Sequence, residues 1–354
     1  MKSEWATMKA SGFIEFNPRL SLKKGTLATK IAMDKLQPFT KRIDITEKAL
    51  YSGGAKFCNG DTILARITPC LENGKTAFVD ILQEGEVGFG STEFIVMRAK
   101  EGVSDPQFVY YVATSPFFRE RAIKSMVGSS GRQRVQQSVI ENLELSVPPL
   151  QIQREIGSFL SEIDKKIAVN NQINDNLEQQ AQFYFQELFV DNASPEWTTG
   201  TISDLGTVVG GSTPSKSKPE YYTESGIAWI TPKDLSINKS KFVSHGENDI
   251  TELGLKNSSA AIMPEGTVLF SSRAPIGYIA IAAGEVTTNQ GFKSVVPKPE
   301  IGTPFVYFFL KNTLPVIEGM ASGSTFKEVS GSTMKNVPAV IPDAETLAKF
   351  SDFC

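Results

Sequence analysis

Histidine is all but absent from this 354-residue chain, His245 being the one example. It sits on a polar stretch beside Gly246 and reads as a solvated loop residue, so histidine-based acid–base or nucleophilic chemistry has at most one place to reside. Cysteine is scarce too. Cys58, Cys70 and Cys354 form no C-x-x-C pair and no pairable framework, which supports neither a zinc site nor a disulfide scaffold and suits a reducing, cytoplasmic setting. No phosphate-binding G-x-x-x-x-G-K-[ST] or G-x-G-x-x-G sequence occurs, since Gly88-Phe89-Gly90 lacks the third glycine. No run approaches the roughly 20 apolar residues of a membrane span, and the polar N-terminus is not a signal peptide, so a membrane is not expected as a partner.

What the chain has is a long amphipathic stretch, 151–189. Ile156, Leu160, Ile163, Ile167, Leu177, Ala181, Tyr184 and Leu188 recur at alternating steps of four and three, with Asn170 and Asn174 filling the two remaining places. This is an a/d seam of more than four heptads and predicts a coiled-coil strand. As one helix it would extend about 58 Å. Pro148 and Pro149 mark its start, and Ala193-Ser194-Pro195 its stop.

On either side of the helix the chain repeats itself. Phe94 matches Phe292, Phe108-Val109-Tyr110-Tyr111 matches Phe305-Val306-Tyr307-Phe308, and Val135, Asn142 and Pro148 match Val329, Asn336 and Pro342, with the offset drifting only from 198 to 194. Each copy runs through a Gly-led strand (Gly60-Asp61-Thr62-Ile63-Leu64 or Gly266-Thr267-Val268-Leu269-Phe270) and then an arginine, Arg66 or Arg273. A polar turn, a strand opening at Phe94 or Phe292, an aromatic helix (108–124 or 304–314), a Gly/Ser stretch with basic residues and a last strand follow. The expected architecture is mixed α/β (α+β): a first domain over 1–147, the helix over 148–192, a second domain over 193–341, and the start of a second helix over 342–354, with Asp343 as its cap. Neither copy carries a catalytic set.

The net charge of −3 is unevenly spread. Residues 1–57 carry about +6, and 115–134 add Arg119, Arg121, Lys124, Arg132 and Arg134 against Glu120, whereas the helix over 151–191 carries about −4. Basic stretches on the first head, with acidity on the rod, fit phosphate contact by the heads, because affinity for DNA depends on local neutralisation rather than on the total.

The ordered motifs resemble the specificity subunit of Type I restriction-modification enzymes. The second head shows Trp197, Gly211-Ser212-Thr213-Pro214-Ser215, Tyr221-Tyr222, Gly226-Ile227-Ala228-Trp229 and Asp234, similar to the opening of a target recognition domain. The first head's Phe16-Asn17-Pro18-Arg19, Asn59-Gly60-Asp61 and the stretch from Ala65-Arg66 to Gly74-Lys75 are similar to another variety of it, and Ile163-Asp164-Lys165-Lys166-Ile167 resembles the family's spacer helix. The resemblance implies a non-catalytic reader of double-stranded DNA in which each head docks on one half of a split target. Methyltransferase subunits that bind S-adenosylmethionine, and an ATP- and Mg-dependent restriction-translocation subunit, would assemble around it. No cofactor is expected in this chain.

Base edges are read by Arg, Lys, Asn and Gln with Ser and Thr assisting, and phosphates by Lys, Arg and backbone amides. In the first head this selects Arg19, Lys23, Lys24, Arg66, Thr68, Lys75, Ser91, Thr92, Ser130, Arg132 and Arg134. In the second it selects Thr213, Ser215, Lys216, Lys218, Lys233, Ser272, Arg273, Asn289, Gln290, Thr325 and Lys327. Trp229 and Tyr222 read as core residues, while Thr213 and Asn289 have an alternative role in holding their own turns. One departure from the family is that 342–354 only begins a second spacer helix. Either the second spacer helix is truncated or the seam pairs with another chain; for the latter the register offers a homodimer through an antiparallel self-pairing in which Asn170 faces Asn174. Two other readings stand beside the DNA reader: a protein- or glycan-binding pair of heads on a coiled coil, and a nuclease using Asp61 and Glu93, weakened by Thr267 and Gly291 at the matching positions.

Overall fold

The computed structural model describes residues 5–323 and 327–354. The chain divides into two units, Met1–Gln172 and Ile173–Cys354, with the boundary inside the central helix. No helix among the described residues is long and apolar enough to cross a membrane.

The first head is organised around the strand Thr62–Ala65, buried at every position. Successive side chains of a strand point to opposite faces, so a strand buried throughout needs cover on both. Leu64, with Ile95 and Met97 of the neighbouring strand Phe94–Ala99, packs against Phe108 and Val109 of the helix Pro106–Thr114. Ile63, with Phe94 and Val96, packs against Ile31 and Phe57 of a second sheet. The result is three layers: helix, sheet, sheet. The central antiparallel sheet runs Ile14–Phe16, Phe94–Ala99, Thr62–Ala65, Thr76–Phe78, and the outer one Glu47–Leu50, Leu27–Ile31, Gly88–Gly90, Lys56–Phe57, with its middle pair parallel.

The second head repeats this plan. Its central strand Val268–Ser272 sends Val268 and Phe270 to the helix Thr303–Met320, and Leu269 to Ile230 and Met263. The aromatic helices differ from the expected spans. In the first head Ser115 breaks the helix: as the residue before Pro116 it is extended, and its hydroxyl caps a second helix, Pro116–Lys124. In the second head the helix continues through Pro315, carried by Ile317, which is fully buried.

The central helix spans Leu150–Gln186 and continues in a wider turn, Glu187–Asp191. Gln153 is buried and plugs it to the first head, with Nε2 donating to the Pro148 and Val103 carbonyls and Oε1 accepting from the Asp105 amide. At the other end, Ala181, Phe185 and Phe189 are buried in the second head. The seam is therefore not a free coiled-coil strand along its whole length. Ile156, Leu160, Ala181, Tyr184 and Leu188 are covered or partly covered, whereas Ile163, Ile167, Asn170, Asn174 and Leu177 are exposed. The heads compete for the apolar stripe and take its ends. The helix Ala344–Phe353 starts at Asp343, which accepts from the Thr346 amide at 2.9 Å, as the sequence predicts, and it buries Phe350 beside Phe185.

Candidate nucleic-acid interface

One turn recurs in both heads and organises the candidate site. In the first, the Ser91 hydroxyl accepts from the Glu93 amide (3.1 Å) and the Phe94 amide donates to the Ser91 carbonyl. In the second, Asn289 Oδ1 accepts from the Gly291 amide (2.8 Å) and the Phe292 amide donates to the Asn289 carbonyl. Ser91 and Asn289 are thus spent on the turn, and the residues at its tip, Thr92 and Gln290, are exposed. Glycine lets a second segment press on each turn. A Cβ at Gly54 would lie 1.9 Å from the Gly90 carbonyl oxygen, and one at Gly211 1.9 Å from that of Asn289.

The central strands correct the alignment of the arginines. The Arg66 amide donates to the Glu93 carbonyl and the Val135 amide to the Arg66 carbonyl; the same two bonds in the second head belong to Ser272, with Gly291 and Val329. Ser272, not Arg273, is therefore the counterpart of Arg66, and Arg273 corresponds to Ile67. Ser272 is fully buried with its hydroxyl donating to the Gly291 carbonyl, which removes it from any DNA-facing surface.

Around the first turn, Arg66, Thr68 and the segment 127–134 converge. Arg134 pairs with both Val127 and Ile67, and the Thr68 amide donates to the Gln133 carbonyl, so the exposed Ser130 and Arg132 stand on an anchored hairpin. Arg134 grips the Glu93 carboxylate through Nε and Nη2 at 2.7–3.0 Å, which holds the Glu93 carboxyl below its usual range. Arg66 Nε is buried without a hydrogen-bond partner, 3.8 Å from Glu93. The Thr68 hydroxyl donates to Glu72. Arg19, Lys23 and Lys24 are exposed on a segment that Lys56 ties down through the Leu20 carbonyl. Lys75 is turned inward, its ammonium donating to the Met33 carbonyl, and serves the fold.

In the second head, six of the expected residues line one groove of about 480 Å³: Thr213, Lys216, Lys233, Arg273, Asn289 and Gln290. Its walls are held from behind. Trp229 Nε1 donates to the Ser212 carbonyl and the Tyr222 hydroxyl to the Pro214 carbonyl, so both aromatics are scaffold as expected. The Thr213 hydroxyl donates to Gln290 Oε1. Lys233 pairs with Glu247, and Arg273 with Glu328 at 3.4 Å. Lys327 shares a neighbouring depression with Arg273; Ser215 and Lys218 are exposed, and Thr325 lies outside the described residues. Asn248, on the groove wall, and Lys293, whose ammonium supports the Gln290 carbonyl, escaped the sequence reading because neither lies in a turn or basic cluster.

The nuclease reading loses its residues. Asp61 is fully buried and its carboxylate accepts from Arg98 (2.7 Å) and the Cys58 amide, while Glu93 is held by Arg134. Among the described residues no cluster of three His, Cys, Asp or Glu could hold a metal ion.

The family model for the Type I restriction modification DNA specificity domain matches residues 2–179 and 195–352. The chain is 41% identical to the Type I restriction enzyme MjaIX specificity subunit of Methanocaldococcus jannaschii over 47% of this chain and 39% of that one. It is 23% identical to the HindI specificity subunit of Haemophilus influenzae over 82% and 78%. The solved S subunit of a Type I restriction-modification system from M. genitalium shares the fold, with a TM-score of 0.60 at 15% identity over 99% of this chain and 88% of that one. A doubled three-layer head and two consecutive matches lead to one conclusion: the chain belongs to the Type I restriction-modification DNA specificity family and carries its domain twice.

Proposed function

We propose that each head reads one half of a split double-stranded DNA target through its turn loops. The chain would do so as the subunit around which methyltransferase subunits and a restriction-translocation subunit assemble, with no catalysis of its own. The observation that carries this reading is the groove of the second head, where donors and acceptors suited to base edges (Thr213, Gln290, Asn248) stand among cations suited to phosphates (Lys216, Lys233, Arg273). The first head would use Thr92, Arg66, Ser130 and Arg132 around its own turn, with the exposed Arg19, Lys23 and Lys24 as phosphate contacts. Glu93 and Glu328 hold arginines that DNA phosphates would draw away. The test is selection of bound duplexes from a random pool by the full chain, alone and with methyltransferase subunits. Enrichment of two half-sites at a constant gap is expected; no enrichment under either condition, even at low salt, would overturn the reading.

The exposed stretch of the seam supports self-association as a further part of this reading. Ile163, Ile167 and Leu177 leave apolar surface on the helix, and Asn170 and Asn174 suit the role of buried polar residues that set register. Replacing both asparagines by leucine should change the sedimentation behaviour of the chain; an unaltered monomer contradicts the pairing.

A further inference from the structure

The two heads grip the central helix through matched lysines. The Phe78 amide donates to the Lys41 carbonyl (3.0 Å) and the Ile281 amide to that of Lys241 (2.7 Å). Phe78 and Ile281 pair with Thr62 and Val268, the same place on the two central strands. Lys41 and Lys241 are therefore structural counterparts.

Each lysine lies over aromatic rings and reaches a carboxylate of the helix. In the first head, Lys41 Nζ is 4.6 Å from the Tyr111 ring centroid and 5.3 Å from that of Tyr110. It donates to the Tyr111 hydroxyl and to Ser161 Oγ, and lies 3.8 Å from Asp164, which accepts from Tyr111 at 2.5 Å. In the second, Lys241 Nζ is 5.4 Å from the Tyr307 centroid and 3.2 Å from Glu178, which also accepts from Tyr307 (3.0 Å) and Lys311. Tyr110 and Tyr307 are themselves repeat counterparts. The helix supplies one carboxylate to each head, and the two lie two heptads apart in sequence.

Apolar burial alone would suffice to attach a head to a helix, but apolar contact is tolerant of rotation and sliding. A partly desolvated ammonium fixed between a ring and a carboxylate is not, because its partners are directional. We infer that Lys41 with Asp164, and Lys241 with Glu178, are positioning residues that set how each head is turned on the helix, and through it the gap length the protein accepts between half-sites. This rests on the two-head DNA reading proposed above.

The experiment uses the full chain with methyltransferase subunits and a duplex library in which both selected half-sites are kept and the gap varies by single base pairs. Lys41→Met and Lys241→Met keep an apolar stem against the rings and remove the charge; Lys41→Arg and Lys241→Arg retain it. The wild type is expected to reject gaps one base pair off. Each Met variant should lose discrimination between gaps by on the order of tenfold while choosing the same half-site bases, and the Arg variants should recover it. Unchanged gap discrimination in the Met variants overturns the inference. So does weakening by an equal factor at every gap, because that is the mark of a head that is merely less stable. If the wild type enriches no half-sites at all, it is the DNA reading that fails.

Discussion

Ser91 and Asn289 do the same work in the two heads with different chemistry: each side chain accepts the amide of the residue two positions on and closes the turn whose tip carries Thr92 or Gln290. Their role is to present the tip. Asn289→Ala removes one such bond, of about 1 kcal/mol. It should weaken recognition of one half-site by up to about tenfold while leaving the other half unchanged, measured by competition between duplexes altered in a single half.

Glu93 neutralises arginines that face the first turn. Glu93→Gln removes that charge, so binding to any duplex should tighten at low salt and the slope of log K against log salt should steepen by about one, as for one added phosphate contact. An unchanged slope would mean Arg134 and Arg66 do not reach DNA.

Glu86 stabilises the first head through Lys48, Thr29 and the Gln83 amide, and these hold its carboxyl down to about 2 from the usual 4.5. A carboxylate depressed in the folded state contributes fully above its unfolded pKa and is lost as pH falls through the folded one. The melting temperature of wild type should exceed that of Glu86→Gln most at pH 6, with the difference shrinking as pH falls below about 4.5.

Phe185 is the helix residue most deeply set in the second head, with the rings of Phe189, Phe305 and Phe350 5.0–5.7 Å away. Phe185→Ala should cost about 3–5 kcal/mol in urea unfolding of that head. Phe159→Ala, at a position 67% exposed, should change stability by no more than about 0.5 kcal/mol.

Much of this was legible in the chain itself. The repeat exposed the doubled head, because matched Phe94 and Phe292, and the Gly-led strands, mark the same buried places in both copies. The turns could be read as polar and tight, though not which side chain closes them and which one points out: Asn289 and Gln290 are neighbours with opposite fates. Ser272 and Lys75 look as polar as their neighbours, and only the strand pairing turns the first inward and the Met33 carbonyl holds the second. Arg66 and Arg273 looked equivalent because sequence comparison places residues by identity, whereas the backbone bonds to Glu93 and Gly291 place them by register. The heptad seam was visible, but a pattern of apolar residues does not say which neighbour covers it, and here the two heads take its ends.

If the heads read separate halves of one target, duplex selection with Thr92→Ala and Gln290→Ala beside the wild type separates their contributions. Thr92→Ala should relax base preference in one half-site only, and Gln290→Ala in the other only. If either substitution changed both halves, or neither changed any base preference, the account of two independent reading heads would be contradicted.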